Sequence, residues 1–392
     1  MKISNKLFIF FLILPYISIS YFNLSGIQPL VLLWQLLLVV LVIPILFKGL
    51  NKFYFLILLY AFVTLFISLV NSTLTAGVMY SIVFLAAFPI LISYVTRDFK
   101  NLITGFYYLF SIIISLNLIT LLMGGINFEQ GFPIYLLGGK NKLQFILLPS
   151  ILIFYMYSYF RFGKLKLIPM LLILMSITSL FLSESSTSII LAALTMLFLI
   201  VPKKFIPSIK ATITMYVVTF FLLIIFKIQE TKFISDIIVN VLHKNTTLSG
   251  RTTIWEYAVQ GIKDNWILGY GRGSNYISNK FITTPEVHNG ILEILIFNGI
   301  VGLFIFTSII FVMAKRLNSF KNHHFSKAVS FFILLFLIIG LSESAFHSLW
   351  FWFLVVIAYN IPSIINQHEF QTEEKVKLQK VATSKHLSHI VQ

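Results

Sequence analysis

Apolar residues run along this chain in long unbroken blocks separated by short polar breaks, a spacing that predicts membrane-crossing helices. A crossing helix needs roughly 20 mostly apolar residues. Twelve blocks approach that length: 7–22, 27–47, 53–70, 78–96, 102–123, 143–160, 167–183, 186–201, 211–228, 290–313, 328–345 and 347–365. Two of the breaks are very short. Ser183, Glu184, Ser185 and Ser186 interrupt one apolar run, and Ser342, Glu343 and Ser344 another. The blocks are continuous rather than alternating, which excludes a transmembrane β-barrel. Lys2 and Lys6 precede the first block as in a signal peptide, but no small-x-small cleavage site follows, so it reads as an uncleaved first helix. The predicted fold class is an all-α polytopic membrane protein of about twelve spans.

The block pattern fails over 229–289, a loop of about 60 residues between spans nine and ten. The organisation is therefore 1–228 with spans one to nine, 229–289 as the large loop, 290–365 with spans ten to twelve, and 366–392 as a polar, mobile tail. Inside the loop, 231–243 places Phe233, Ile234, Ile237, Ile238 and Val241 on one helical face. Residues 253–264 do the same with Ile254, Trp255, Ala258, Val259 and Ile262, and Thr253 and Glu256 have capping-box spacing. Such helices lie on a membrane surface or pack on the bundle.

Composition agrees: 58% of residues are hydrophobic and 11% charged, against about 25% charged in soluble domains. A soluble enzyme and a disordered chain are excluded. The net charge of +16 sets orientation rather than implying nucleic acid. With the N-terminus in the cytoplasm and spans alternating, 20 of the 29 Lys and Arg residues fall on cytoplasmic segments. Both termini are then cytoplasmic, and 124–142 and 229–289 face outward. Cysteine is absent, which removes disulfides, thiolate chemistry and Cys-ligated metals.

Candidate chemistry therefore lies outside. Ser249-Gly250-Arg251 precedes the second loop helix, Gly269-Tyr270-Gly271-Arg272-Gly273 follows it, and His288-Asn289-Gly290 opens span ten with Glu293 one turn inside. Glycine turns let backbone N–H groups approach an anion, Arg offers phosphate a bidentate fork, and His is readily poised as a base. Each also has a plain structural reading: a tight turn, a headgroup anchor, a helix cap. Glu184 and Glu343 both occupy a Leu-Ser-Glu-Ser tetrapeptide, at 182–185 and 341–344. Either carboxylate is a cap or a functional group. The spacing shows no D-x-D and no cluster at metal-ligand spacing.

The order of these elements is similar to the signature of the O-antigen ligase and O-antigen polymerase superfamily. It runs Ser249-Gly250-Arg251, Trp255, Trp266-Ile267-Leu268-Gly269-Tyr270-Gly271, His288-Asn289-Gly290-Ile291-Leu292-Glu293 and Asn298-Gly299-Ile300-Val301-Gly302, about 55 residues over 249–302. The resemblance implies glycosyl transfer on the outer face of a bacterial cytoplasmic membrane. The donor would be a glycan on polyprenyl diphosphate, and no metal or cofactor would be needed. Arg251, with Arg272 second, would stabilise the diphosphate leaving group. His288 would be the general base, with Asn289 and Glu293 orienting its ring and Trp255 at the substrate. Relatives carry a further Arg in an earlier outer loop. Here Gly138-Gly139-Lys140-Asn141-Lys142 stands instead, so Lys140 or Lys142, with Asn141 beside them, is the substitute phosphate contact.

Three functions compete. The leading one is a polymerase of lipid-linked repeat units, with membrane lipids and a chain-length regulator protein as partners the role admits and no nucleic acid. The second is a ligase to lipid A core. The third, from another class, is a flippase for the same lipid-linked unit. Paired halves, common in transporters, are not seen, and the long loop falls between spans nine and ten.

Overall fold

The computed structural model describes residues 27–129, 132–231, 250–281 and 286–390, together with 236 and parts of the first nineteen residues (9, 11–17 and 19). The helix expected over 231–243 and Ser249 lie outside the described residues. So do 7, 8, 10, 18 and 20–22 of the first block and all of 282–285.

Eleven of the twelve expected blocks coincide with helices. These are α1 (Gln28–Val40) with its continuation α2 (Val42–Phe47), α3 (Lys52–Val70), α4 (Ala76–Val95), α5 (Phe99–Leu122), α6 (Gln144–Phe162), α7 (Leu167–Leu182), α8 (Ser186–Ile200), α9 (Ile209–Ile224), α11 (Gly290–Ser319), α12 (His324–Gly340) and α13 (Leu349–Ile390). The loop helix α10 (Arg251–Asp264) precedes α11. Among the described residues, six segments are long and apolar enough to cross a membrane. One of them, Ala76–Leu122, contains both α4 and α5, and four further apolar helices have 10–17 residues. A count of twelve crossings is thus an expectation, while a multi-pass helical membrane architecture is what the helices show. Large apolar side chains such as Leu33, Phe62, Phe181, Ile200 and Phe304 remain exposed on the bundle exterior, as a lipid-facing surface requires.

Local chemistry sets the helix ends. Asn51, Thr75, Ser208 and Asn289 accept backbone N–H groups at the starts of α3, α4, α9 and α11. Gly163, with φ +69°, closes α6 in the left-handed conformation. The polar tail is helical: α13 continues to Ile390, because no Gly or Pro follows Pro362.

The segment 124–142, expected to face outward, is not a span. It holds three short antiparallel strands, β1 (Asn127–Glu129), β2 (Phe132–Tyr135) and β3 (Gly138–Gly139), in the order β1-β2-β3. Thr120 and Asn117 on α5 accept the N–H groups of Leu136 and Leu137 and hold this sheet on the bundle end.

Candidate functional site

The site assembles where the 250–290 region meets the 341–348 turn. Gly250, at φ +87°, is the N-cap of α10, so Arg251 stands at its first helical position. The helix begins two residues earlier than expected. Thr253 is therefore inside it and makes no capping box, and Glu256 instead pairs with Lys227. The apolar face of α10 packs on the bundle rather than on lipid: Ile254, Trp255 and Ala258 are buried with Phe220, Ile224, Leu292 and Ile296.

Glu343 joins the two leading candidates. Arg251 Nη2 donates to its Oε1 at 2.5 Å, and His288 Nδ1 lies 3.1 Å from its Oε2. Glu343 thus bridges the guanidinium and the imidazole, and a carboxylate facing Nδ1 makes that nitrogen the protonated one. Nε2 is then the basic nitrogen of the ring. His288 itself sits at φ +53°, a conformation uncommon for residues other than Gly, although His adopts it more readily than most. Its carbonyl accepts Trp255 Nε1–H at 3.2 Å. Trp255 is buried and holds the His288 backbone, so this contact supplies a positioning role.

The helpers expected for His288 are engaged elsewhere. Asn289 caps α11 through Ile291 and Leu292 N–H and donates to Leu341 O at 3.2 Å. Glu293, which is buried, lies 2.9 Å from Nδ1 of the partly buried His347, forming a second pair. His347 and Glu343 carried no motif signal. For Glu343 the only hint was an ionisable residue at a span boundary.

The glycine-rich run has a structural task. Helix α11 breaks at Gly299, with φ +57° and ψ −161°. Loop 266–271 satisfies the backbone groups around the break. Tyr270 and Gly271 N–H donate to the carbonyls of Ile296 and Phe297 at 2.7 and 3.0 Å, and Ile300 N–H donates to Trp266 O at 2.9 Å. Irregular backbone within a span needs such internal partners. A Cβ on Gly299 would lie 2.1 Å from Ile267 O. These N–H groups are therefore spoken for and do not form an anion cradle. Arg272 N–H donates to Ser68 Oγ at 2.9 Å, and its side chain enters the bundle, where Nη1 is buried with no partner among the described residues. Burial pushes the guanidinium below its ordinary range, while Glu293 and Tyr60 nearby act to raise it.

Lys140, Asn141 and Lys142 are exposed in the turn after β3. Burial pushes the Glu286 carboxyl above its ordinary range, with His288 and, more weakly, Lys142 acting to lower it, which places this turn at the edge of the same site. Although no metal spacing is visible in the sequence, the fold gathers Glu286, His288 and Glu343 with donor atoms within 4.8 Å of one another. These three could hold a cation, but Arg251 already occupies Glu343 with a positive charge.

Comparison with known proteins falls on this same region. Residues 170–307 match the family described as O-Antigen ligase. That stretch includes Arg251, Arg272, His288, Asn289 and Glu293, while Lys140, Lys142, Glu343 and His347 lie beyond it. A Rickettsia felis protein bearing the name "Putative polysaccharide ligase" is 29% identical over 125 residues, covering 27% of this chain and 31% of that protein. The chain thus aligns with about a third of that relative's length.

Proposed function

We propose, with the O-antigen ligase and polymerase superfamily as the premise, that this chain is a glycosyltransferase that polymerises lipid-linked repeat units of a surface polysaccharide. The observation that carries the reading is the Arg251–Glu343–His288 chain of contacts. The donor is a glycan on polyprenyl diphosphate, and the reaction takes place on the outer face of the cytoplasmic membrane. An acceptor hydroxyl gives its proton to Nε2 of His288 as its oxygen attacks the anomeric carbon. The bond from that carbon to the diphosphate oxygen breaks. The diphosphate leaves as an anion against Arg251, whose fork extends beyond the nitrogen bound to Glu343. Glu343 steadies the imidazolium as it forms, as a carboxylate behind a histidine base does. Lys142, at the edge of the site, supplies a second positive charge for the phosphates.

The names of the family and of the Rickettsia felis relative favour a second reading, transfer of finished polymer to an acceptor lipid. The flippase reading has no comparable support, since the three residues meet at one end of the bundle. A glycan gel of cells lacking the gene tests these alternatives. Collapse of the ladder to one repeat unit, restored by wild type but not by His288→Ala or Arg251→Ala, supports the polymerase. Full-length polymer retained on the carrier lipid supports the ligase. An unchanged ladder overturns both.

A further inference from the structure

A groove of about 710 Å³ runs down one side of the bundle between α9, α11 and α12, within the usual size of ligand sites. Ile291 and Phe346 close it at the end bearing His288, and Lys210, Lys315 and Asn318 line its opposite end. From Ile291 to Lys315 is roughly 35 Å of helix at about 1.5 Å per residue, close to a bilayer's hydrocarbon thickness. Exposed Val217 and Phe311 are among its walls, so it opens sideways to lipid.

One feature distinguishes its far end from bare apolar surface. Lys210 and Lys315 stand at one mouth, and among the described residues neither has a carboxylate within 4 Å.

From this we infer a binding site for one anionic glycerophospholipid, its phosphate between Lys210 and Lys315 and an acyl chain in the groove. Basic pockets between spans recognise such headgroups. A polyprenyl donor for the proposed reaction carries its phosphates at the His288 end, so a phosphate held at the opposite end by Lys210 and Lys315 belongs to another lipid. Asn318 adds an amide donor at the headgroup. The site is separate from the glycosyl-transfer reading, because its residues lie at the other end of the bundle and its test reads binding alone.

The test uses the full chain in neutral detergent, with bound lipids counted by native mass spectrometry. The probes are dioleoyl phosphatidylglycerol, dioleoyl phosphatidylcholine and undecaprenyl phosphate, each titrated alone and in competition. Phosphatidylglycerol is expected to saturate one site. The Lys210→Gln/Lys315→Gln variant should weaken it about 30-fold, the loss of two lysine contacts. Val217→Trp, at an exposed wall position, should block the groove. Equal binding of phosphatidylcholine, or phosphatidylglycerol binding unchanged in the double-lysine variant, overturns the inference. Undecaprenyl phosphate displacing phosphatidylglycerol, lost in Val217→Trp but kept in the double-lysine variant, overturns it too and assigns the groove to an isoprenoid tail.

Discussion

Two histidine–carboxylate pairs fasten the start of α11 to the 341–348 turn, and they are built as mirror images. In the outer pair α11's approach supplies the histidine, His288, and the turn supplies Glu343. In the inner pair α11 supplies Glu293 and the turn supplies His347. The outer histidine is 22% exposed and its carboxylate also binds Arg251. The inner partners are 9% and 8% exposed, beneath the packing of Phe346 on Gly290 and Gly340. The same chemical contact thus serves two ends. In the proposed reaction the outer pair, with its guanidinium, moves a proton. Where both partners are enclosed, the contact holds two segments together. A buried pair contributes little net stability, yet removing one partner strands the other.

Breaking the outer pair should have the largest effect. His288→Ala and Arg251→Ala should each reduce elongation on the order of 10²–10⁴-fold at normal membrane levels, the usual loss for a general base and comparable to the loss of a charge stabiliser. Glycan gels normalised to protein amount check this. Glu343→Gln should fall in the same range, since it leaves the shape but removes the charge that fixes the His288 tautomer. The inner pair should respond in stability instead. Glu293→Gln or His347→Ala should cost about 3–5 kcal/mol of folding free energy, visible as a lowered melting temperature in detergent. A normal melting temperature with abolished elongation would move the inner pair into the chemistry.

Smaller effects sharpen the same contrast. Gly299→Ala forces a Cβ against Ile267 O and a left-handed conformation costing about 1–3 kcal/mol. Melting should fall before any change in substrate affinity. Lys227→Ala removes an exposed partner of Glu256, and such pairs contribute little. It should leave both melting and the ladder unchanged.

Much of this was legible in the blocks of apolar residues, because a bilayer demands long helices whatever their packing. Arg251 and His288 were legible through the order of motifs around them. Glu343 was not. Its tetrapeptide also occurs around Glu184, and both glutamates sit at breaks between apolar blocks. Only the tertiary fold brings Glu343 to Arg251, 92 residues away, while Glu184 remains near Tyr135. The glycine run misled for a related reason: its N–H groups serve a break at Gly299 that apolar neighbours Ile300 and Val301 conceal. The small sheet over 127–139 escaped notice because strands of three, four and two residues are too short for a period to register.

The most direct measurement compares elongation by Glu343→Gln and His347→Gln at matched membrane levels and a temperature where both are folded. The account predicts that Glu343→Gln yields single repeat units while His347→Gln still builds a ladder. A full ladder from well-folded Glu343→Gln would contradict it.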